Sequence, residues 1–155
     1  MPSRKIKAYL DQAGVKYEVI EHSVVYTAQE VAAVTHVKGK ELIKAVMIKT
    51  DDELIMLALP ATRKIDFPTL KKLLGKKEVS LAQEEEFAPL FPDCETGAMP
   101  PLGKLYQVSV IADQSLTEDQ EIMFNAGTHH EIIKMGLEDF KRLENPRMET
   151  FTIHI

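Results

Sequence analysis

Residues 42–59 read LIKAVMIKTDDELIMLAL, a pattern that indicates the secondary structure at the centre of the fold. It contains two apolar runs, 42–49 and 53–59, which the turn-forming residues 50–52 separate. Short apolar runs on either side of such a turn are typical of paired antiparallel strands. The second run is apolar on both faces, as a strand in the centre of a sheet would be. The stretch therefore predicts a β-hairpin in the core.

The segments around the hairpin carry further helix and strand signals. Apolar residues at helical spacing, with capping residues before them and glycine or proline after them, predict helices. Short runs of β-forming residues predict strands. Helices are expected at 4–13, 27–34, 67–74, 80–91 and 137–143, and further strands at 16–21, 105–111, 121–126, 131–135 and 149–155.

Together these elements predict one domain, residues 1–155, of the α/β (α+β) class, with a mixed, curled sheet and flanking helices. The last segment alternates strictly, so Phe151, Ile153 and Ile155 are expected on one face of a strand that completes the sheet. The strand order cannot be read from these patterns.

The composition is that of an ordinary globular protein. The chain has 155 residues, 45% hydrophobic and 28% charged, which is enough to bury a core. No apolar run approaches the roughly 20 residues of a membrane helix, and the N-terminal residues lack the apolar core of a signal peptide. We therefore expect a cytoplasmic protein with no membrane partner.

The few cysteine and histidine residues limit the kinds of bond and metal site that the chain can form. The single cysteine, Cys94, cannot form an internal disulfide, and five scattered histidines do not form a zinc-binding pattern. A Walker loop, a dinucleotide fingerprint and a nucleophile elbow are also missing from the sequence. Cys94 with His129 admits a thiol-hydrolase interpretation, although no third member of a triad is evident.

Charge is segregated along the chain. The net charge is −5, yet the segment from Arg63 to Lys77 contains six basic residues and the single acid Asp66. Acidic residues follow it, with no Lys or Arg from position 78 until Lys104. Two interpretations are open: solvated helix surfaces, or a basic surface that contacts an anionic partner.

Lys44 interrupts the first apolar run of the hairpin. In simple alternation it shares a face with Leu42, Val46 and Ile48, all apolar. A lysine on such a face costs stability unless a negative group pairs with it, which favours a phosphate or carboxylate ligand. The alternative is an exposed lysine on an edge strand.

Two glycine-containing segments are further candidates. Residues 95–103 read ETGAMPPLG, and because Met99 and Pro100 each precede a proline, this loop is expected to be rigid, with backbone N–H groups suited to binding an oxyanion. Residues 125–130 read NAGTHH, where Gly127 permits a tight turn and His129 lies near its tip. The alternatives are a plain connector and a solvent-exposed turn.

Taken in order, these features resemble the YbaK-like family of aminoacyl-tRNA deacylases, which is related to the editing insertion of bacterial prolyl-tRNA synthetases. Residues 22–30, HSVVYTAQE, are similar to its His-x-x-x-Phe/Tyr-Thr-x-x-Glu segment, as in a free-standing, alanine-editing branch. The Gly-x-x-Pro-Pro loop matches at Gly97, Pro100 and Pro101, and the family lysine matches Lys44. The histidines at 129 and 130 match only some branches.

The resemblance implies a fold and an activity. The fold would be a curled, barrel-like mixed sheet with flanking helices, and the activity would be hydrolysis of the ester that joins a wrong amino acid, such as Ala, Cys or Ser, to a tRNA, with proline tRNA expected. It also implies water as the nucleophile, helped by a hydroxyl of the terminal ribose, and no metal or organic cofactor. The implied partners are the acceptor end of the tRNA and a synthetase, and not DNA.

The resemblance also implies roles for individual residues. Lys44 would hold the terminal phosphate or the aminoacyl group, and the loop around Gly97, Pro100 and Pro101 would stabilise the oxyanion. The basic segment 63–77 would contact the acceptor stem. Substrate-binding positions are expected at His22, Val25, Tyr26, Thr27, Met99, Leu102, Gly103, Asn125, Gly127 and His129.

A rival interpretation from another class is a non-catalytic module. Such a protein would bind a tRNA, a synthetase or a small anion on the same fold, using Lys44 for the anion. A Lys44→Ala variant separates the two, because only an enzyme has turnover to lose.

Overall fold

A computed structural model describes residues 4–21, 42–118 and 120–154. The expected helix at 27–34 lies outside the described residues. The helices are α1 (Arg4–Gln12), α2 (Phe67–Leu74), α3 (Glu84–Phe87) and α4 (Leu137–Glu144). The strands are β1 (Tyr17–Glu21), β2 (Leu42–Thr50), β3 (Leu54–Pro60), β4 (Arg63–Ile65), β5 (Val79–Leu81), β6 (Val110–Asp113), β7 (Glu121–Asn125), β8 (Glu131–Gly136), β9 (Arg147–Glu149) and β10 (Thr152–His154).

The main sheet is mixed, as predicted. Its strand order is β1-β8-β7-β2-β3-β6-β9, and β5 pairs with β2 beside this path. The pairs β2–β7, β3–β6 and β6–β9 are parallel, and the others are antiparallel. β10 and β4 form a separate two-stranded sheet. The predicted α/β class with flanking helices is confirmed.

The hairpin at 42–59 is also confirmed. β2 and β3 pair over seven positions, with Met47 opposite Met56, and β3 is buried from Ile55 to Pro60. The Thr50 N–H donates to the Glu53 carbonyl at 2.9 Å and closes the turn. A strand buried on both faces explains why 53–59 contains no alternating polar residues.

Apolar side chains cover both faces of the sheet. One face carries the main core, where α1, α4 and the segment 91–106 pack with Ile6, Leu10, Phe124 and Phe140 fully or almost fully buried. The other face packs against α2, mainly through Leu70. Each fully buried side chain of this size contributes about 1.5–3 kcal/mol to folding. No helix among the described residues is long and apolar enough to cross a membrane.

The predicted helix at 80–91 is wrong in its first part. Val79–Leu81 is a strand that pairs with the end of β2, with Val79 opposite Thr50. The helix begins only at Glu84, where Gln83 and Glu86 form a capping box, and a 3₁₀ turn continues it over Ala88–Leu90. Pairing with the β2 edge outweighs the local helix preference.

The predicted strand at 105–111 starts later than expected. Gly103–Tyr106 is a 3₁₀ turn, and the strand begins at Val110. Tyr106 is buried against Phe91, with ring centroids 4.7 Å apart, so aromatic packing holds this turn.

The predicted C-terminal strand is also wrong in part. It is broken into β9 and β10, and β10 pairs with β4 instead of completing the main sheet. Phe151 is buried, whereas Ile153 is 44% exposed, so the two do not share a buried face. The Phe151 N–H donates to Asp113 Oδ1 at 3.1 Å, and this bond to a buried carboxylate interrupts the strand pattern.

Candidate active site

The register of two parallel strands places Lys44 beside Asn125. In the β2–β7 pair, Ile43 lies opposite Phe124, and the next residue on each strand is Lys44 and Asn125. Neighbouring strands are about 5 Å apart. Two polar side chains 81 positions apart in the sequence, 125 minus 44, therefore emerge side by side.

Both side chains emerge on the face opposite the main core. Two positions earlier on the same strands, Leu42 and Met123 pack together with Ile132 in a separate apolar cluster. Because side chains alternate along a strand, Lys44 and Asn125 share that face. The face expected for Lys44, with Leu42, Val46 and Ile48, is the one the structure has.

Lys44 is partly buried, and burial lowers the pKa of its ammonium group. None of the ion pairs found among residues 4–21, 42–118 and 120–154 includes it. A partly desolvated cation in this setting is suited to an anionic or carbonyl ligand.

The glycine-proline loop and the NAGTHH turn are tied together by hydrogen bonds. The Glu95 N–H donates to the Gly127 carbonyl at 2.8 Å, and the Gly127 N–H donates to the Ala98 carbonyl at 2.9 Å. The His129 Nε2 lies 2.7 Å from the Thr96 carbonyl oxygen. The turn begins at Asn125, so these bonds connect the loop to the strand beside Lys44.

Both segments need a glycine at their contact. Gly97 and Gly127 have φ values of 83° and 90°, a left-handed region that disfavours other residues. A Cβ at Gly97 would lie 3.5 Å from the His129 ring, and one at Gly127 would lie 3.2 Å from Ile6 and 3.5 Å from the Cys94 sulfur. The glycines therefore permit the close approach.

The loop also offers hydrogen-bond donors. The backbone N–H groups of Gly97 and Met99 donate to none of the described residues. Pro100 and Pro101 have no N–H, and both are buried together with Met99. The loop thus presents one available donor on the exposed Gly97 and one on the buried Met99, next to two prolines that restrain the backbone.

The next two residues of the loop, Leu102 and Gly103, have roles in packing. Leu102 is fully buried in the main core. A Cβ at Gly103 would overlap the Val110 side chain and the Val108 carbonyl, so no larger residue fits there. The four expected positions His22, Val25, Tyr26 and Thr27 lie outside the described residues.

Cys94 carries a partly buried thiol. Its sulfur lies 3.3 Å from the Tyr106 hydroxyl, which donates to Asp93 Oδ2 at 3.0 Å. Burial is the largest cause that raises the pKa of the thiol to about 11. At neutral pH the thiolate needed for nucleophilic attack is therefore scarce, which argues against a thiol hydrolase.

Sequence reasoning missed one buried acid at the turn. Glu131 is fully buried at the start of β8, and its Oε1 lies 3.4 Å from both Thr128 Oγ1 and His130 Nε2. In the sequence it resembles an ordinary polar residue at a strand end, so only its position after HH hinted at the contact. Among the described residues, no cluster of three or more His, Cys, Asp or Glu side chains is arranged to hold a metal ion.

The basic residues of segment 63–77 form two groups, those bonded to other side chains and those exposed to solvent. Arg63 donates to Thr152, and Lys76 pairs with Asp52 at 2.8 Å. The exposed basic residues, called the basic surface below, are Lys64, Lys71, Lys72 and Lys77. Helix α2, which carries Lys71 and Lys72, packs through Leu70 on the same sheet face as Lys44.

Comparisons with known proteins find relatives along most of the chain. The chain is 28% identical over 156 residues to the multifunctional Ser/Thr-tRNA deacylase ProXp-y of Escherichia coli K12, covering 96% of this chain and 91% of that protein. It is 27% identical over 88 residues to a proline–tRNA ligase of Bacillus cereus AH187, covering 57% of this chain. The chain spans only 15% of the length of that ligase.

Solved structures share the fold. A crystal structure described as a candidate trans-editing enzyme for prolyl tRNA synthetase superposes with a TM-score of 0.86 at 18% identity, over 97% of this chain and 96% of that one. The model of the aminoacyl-tRNA editing domain family matches residues 22–143, from the start of the HSVVYTAQE segment to α4. The chain belongs to the aminoacyl-tRNA editing domain family, to which the resemblance of its motifs also points.

Proposed function

We propose that the chain is an aminoacyl-tRNA deacylase that hydrolyses the ester of a mischarged tRNA. The observation that carries the proposal is a partly buried Lys44 that has no acidic partner among the described residues and lies beside Asn125, where the turn that hydrogen bonds tie to the glycine-proline loop begins. Family membership supports the same reaction class.

Water is the proposed nucleophile. Its oxygen attacks the acyl carbonyl, the ester C–O bond breaks, and the released ribose oxygen takes a proton, which yields a free amino acid and an intact tRNA. A ribose hydroxyl next to the ester would help to deliver the water. The high thiol pKa of Cys94 supports a route without a cysteine nucleophile.

The N–H groups of Gly97 and Met99 are the proposed oxyanion donors. The negative charge on the carbonyl oxygen grows as water attacks, so donors fixed in advance stabilise the transition state more than the ground state. One such donor contributes about 3 kcal/mol to lowering the barrier. Lys44 would neutralise the same oxygen or the terminal phosphate.

A small amino acid is the proposed acyl group, with serine first among Ala, Cys and Ser. The E. coli relative is named a Ser/Thr-tRNA deacylase, and serine is common to both sets. A hydrophobic pocket distinguishes one methylene by only about 1–3 kcal/mol, so esters of neighbouring size should also react, more slowly.

Proline tRNA is the proposed carrier, because the chain also matches proline–tRNA ligases. The basic surface would contact phosphates of the acceptor stem. Lys71 and Lys72 lie on the helix that packs on the Lys44 face of the sheet, and this shared face supports the proposed contact.

The test is deacylation of a panel of tRNAs charged with Ala, Cys, Ser or Thr, on both proline and threonine tRNAs. Wild type, Lys44→Ala and a control, Lys141→Ala on α4, are compared. We expect one or more esters to be hydrolysed by wild type and the control and not by Lys44→Ala.

Two results would contradict the proposal. If no ester is hydrolysed although the protein binds tRNA, the non-catalytic module becomes the better interpretation. If Lys44→Ala matches wild type, the reaction does not depend on Lys44 and the assigned site is wrong.

A further inference from the structure

We propose that Asn125 binds the α-amino group of the aminoacyl ester. The inference rests on the proposed deacylase function and deepens it, because it names the group by which the site would recognise an amino acid rather than another acyl chain.

The first observation is an unpaired acceptor. The side-chain oxygen Oδ1 of Asn125 is buried, and it accepts no hydrogen bond from any of the described residues. Buried polar atoms in folded proteins are nearly always hydrogen-bonded, and leaving one unpaired is costly. Such an atom at a candidate site is best explained by a partner that arrives with the ligand.

The second observation is its neighbour. The β2–β7 pairing ends at Ile43 and Phe124, and Lys44 and Asn125 are the next residues on these two strands. Neighbouring strands lie about 5 Å apart. Lys44 offers only hydrogen-bond donors, whereas Asn125 Oδ1 only accepts. The pair is therefore complementary to a ligand that presents an acceptor and a donor a few atoms apart.

An aminoacyl ester has this arrangement. Its carbonyl oxygen and ester oxygen accept, and its α-nitrogen, bonded to the carbon beside the carbonyl, carries N–H donors. An α-amino group has a pKa near 7.7–8.0 in model compounds, and it has N–H groups in both protonation forms. Lys44 would meet the carbonyl or phosphate oxygen, and Asn125 the nitrogen.

The apolar neighbours of Asn125 and Lys44 would strengthen the proposed hydrogen bond to the α-nitrogen. Across the sheet, Ile132 pairs with Asn125 on one side, and Ile20 lies beyond it, while Leu59 pairs with Lys44 on the other. The two polar residues thus lie in a row between apolar ones. A hydrogen bond formed there is less weakened by water than one on the surface.

The experiment measures binding with two analogues that cannot be hydrolysed. One is adenosine with serine joined to the 3′ position by an amide, and the other is the same compound without the α-amino group. Calorimetry is performed on wild type, Asn125→Leu and a control, Met123→Leu, which lies two positions earlier on the same strand and face.

We expect wild type and the control to prefer the amino compound by about 10- to 100-fold, the effect of one hydrogen bond to a charged group. Asn125→Leu should bind both analogues equally. Because Oδ1 has no partner among the described residues, this near-isosteric change should leave the melting temperature unchanged or higher. If Asn125 had only a structural role, its replacement by leucine would lower the melting temperature.

Absence of an amino preference in wild type, including failure to bind either analogue, overturns the inference. So does a preference that survives in Asn125→Leu. If a 2′-deoxy amino analogue loses affinity for wild type but not for Asn125→Leu, the ribose hydroxyl is the partner of Asn125 instead. A protein that shows the amino preference but hydrolyses no ester would instead contradict only the deacylase function.

Discussion

The ring nitrogen Nε2 of His129 lies 2.7 Å from the carbonyl oxygen of Thr96. Since a carbonyl only accepts, Nε2 carries the hydrogen, and the bond fixes the orientation of the ring. The ring in turn lies 3.5 Å from where a Cβ on Gly97 would be. The turn after β7 and the loop with the proposed oxyanion donors are therefore held together by a side chain as well as by backbone bonds.

The first prediction concerns this bond. His129→Ala should lower kcat/KM about 5- to 10-fold, because one hydrogen bond of about 1 kcal/mol no longer restrains the loop. His129→Gln, whose amide can still donate, should recover part of the activity. Steady-state deacylation kinetics of the three proteins check this. Equal rates for wild type and His129→Ala would mean that the backbone bonds alone hold the loop.

The second prediction concerns stability. Lys44→Met should be more stable than wild type at pH 7, since it removes a partly buried charge but retains an apolar side chain of similar length. The same variant should be inactive. Urea unfolding and deacylation of one preparation measure both effects, with Lys141→Met as the control for removal of a lysine.

The difference in stability between Lys44→Met and wild type should change with pH in one direction. Burial lowers the pKa of Lys44, so the folded state binds its proton more weakly than the unfolded state does. The charged Lys44 destabilises the folded protein fully at a pH below its lowered pKa. This destabilisation disappears as the pH rises past 10.5, the pKa of the lysine in the unfolded chain. The stability gap between Lys44→Met and wild type should therefore narrow from pH 7 to pH 10. A constant gap would point to packing alone.

The third prediction concerns Cys94. Cys94→Ala should keep deacylation within about threefold of wild type, because the thiol pKa of about 11 leaves little thiolate at neutral pH. Alkylation of wild type by iodoacetamide should be slow at pH 8 and accelerate toward pH 11. Loss of turnover in a folded Cys94→Ala protein would revive the thiol-hydrolase interpretation.

The fourth prediction concerns the basic surface. Reversing Lys64, Lys71 and Lys72 to Glu should raise KM for tRNA and leave kcat nearly unchanged. The salt slope of log KM should fall by about one for each phosphate that the variant no longer binds. Deacylation at several salt concentrations measures all three quantities.

A charge-matched control separates direct binding from net charge. The triple change to Glu of Lys7, Lys16 and Lys141 alters the net charge equally, on α1, before β1 and on α4. The control should retain the wild-type KM and salt slope. Equal effects of the two triple variants would mean that only the overall charge matters.

Much of the fold could be predicted because its strongest signals are local. The hairpin follows from two apolar runs and one turn, and the end of α2 follows from Gly75, whose φ of 65° suits the left-handed cap. The predictions are wrong where contacts between residues distant in the sequence determine the local structure. Val79–Leu81 forms a strand by pairing with the edge of β2, and the Phe151 N–H bonds to the distant Asp113 carboxylate.

The same distinction applies to the site. Lys44 and the glycine-proline loop are conspicuous in the sequence, since a charge in an apolar run and clustered Gly and Pro are local irregularities. That Lys44 lies beside Asn125 depends on the parallel register of β2 and β7, which no local pattern encodes. The hydrogen bond between His129 and Thr96 likewise depends on how two loops meet.

The pairing of β2 with β7 also bears on how the protein matures. Ile43 meets Phe124 across a separation of 81 residues, and closing so long a loop is slow compared with forming the β2–β3 hairpin. During synthesis, the neighbour of Lys44 is not made until more than three quarters of the 155 residues have been joined. Recovery of deacylation during refolding would therefore report completion of the sheet, later than signals that follow the hairpin alone.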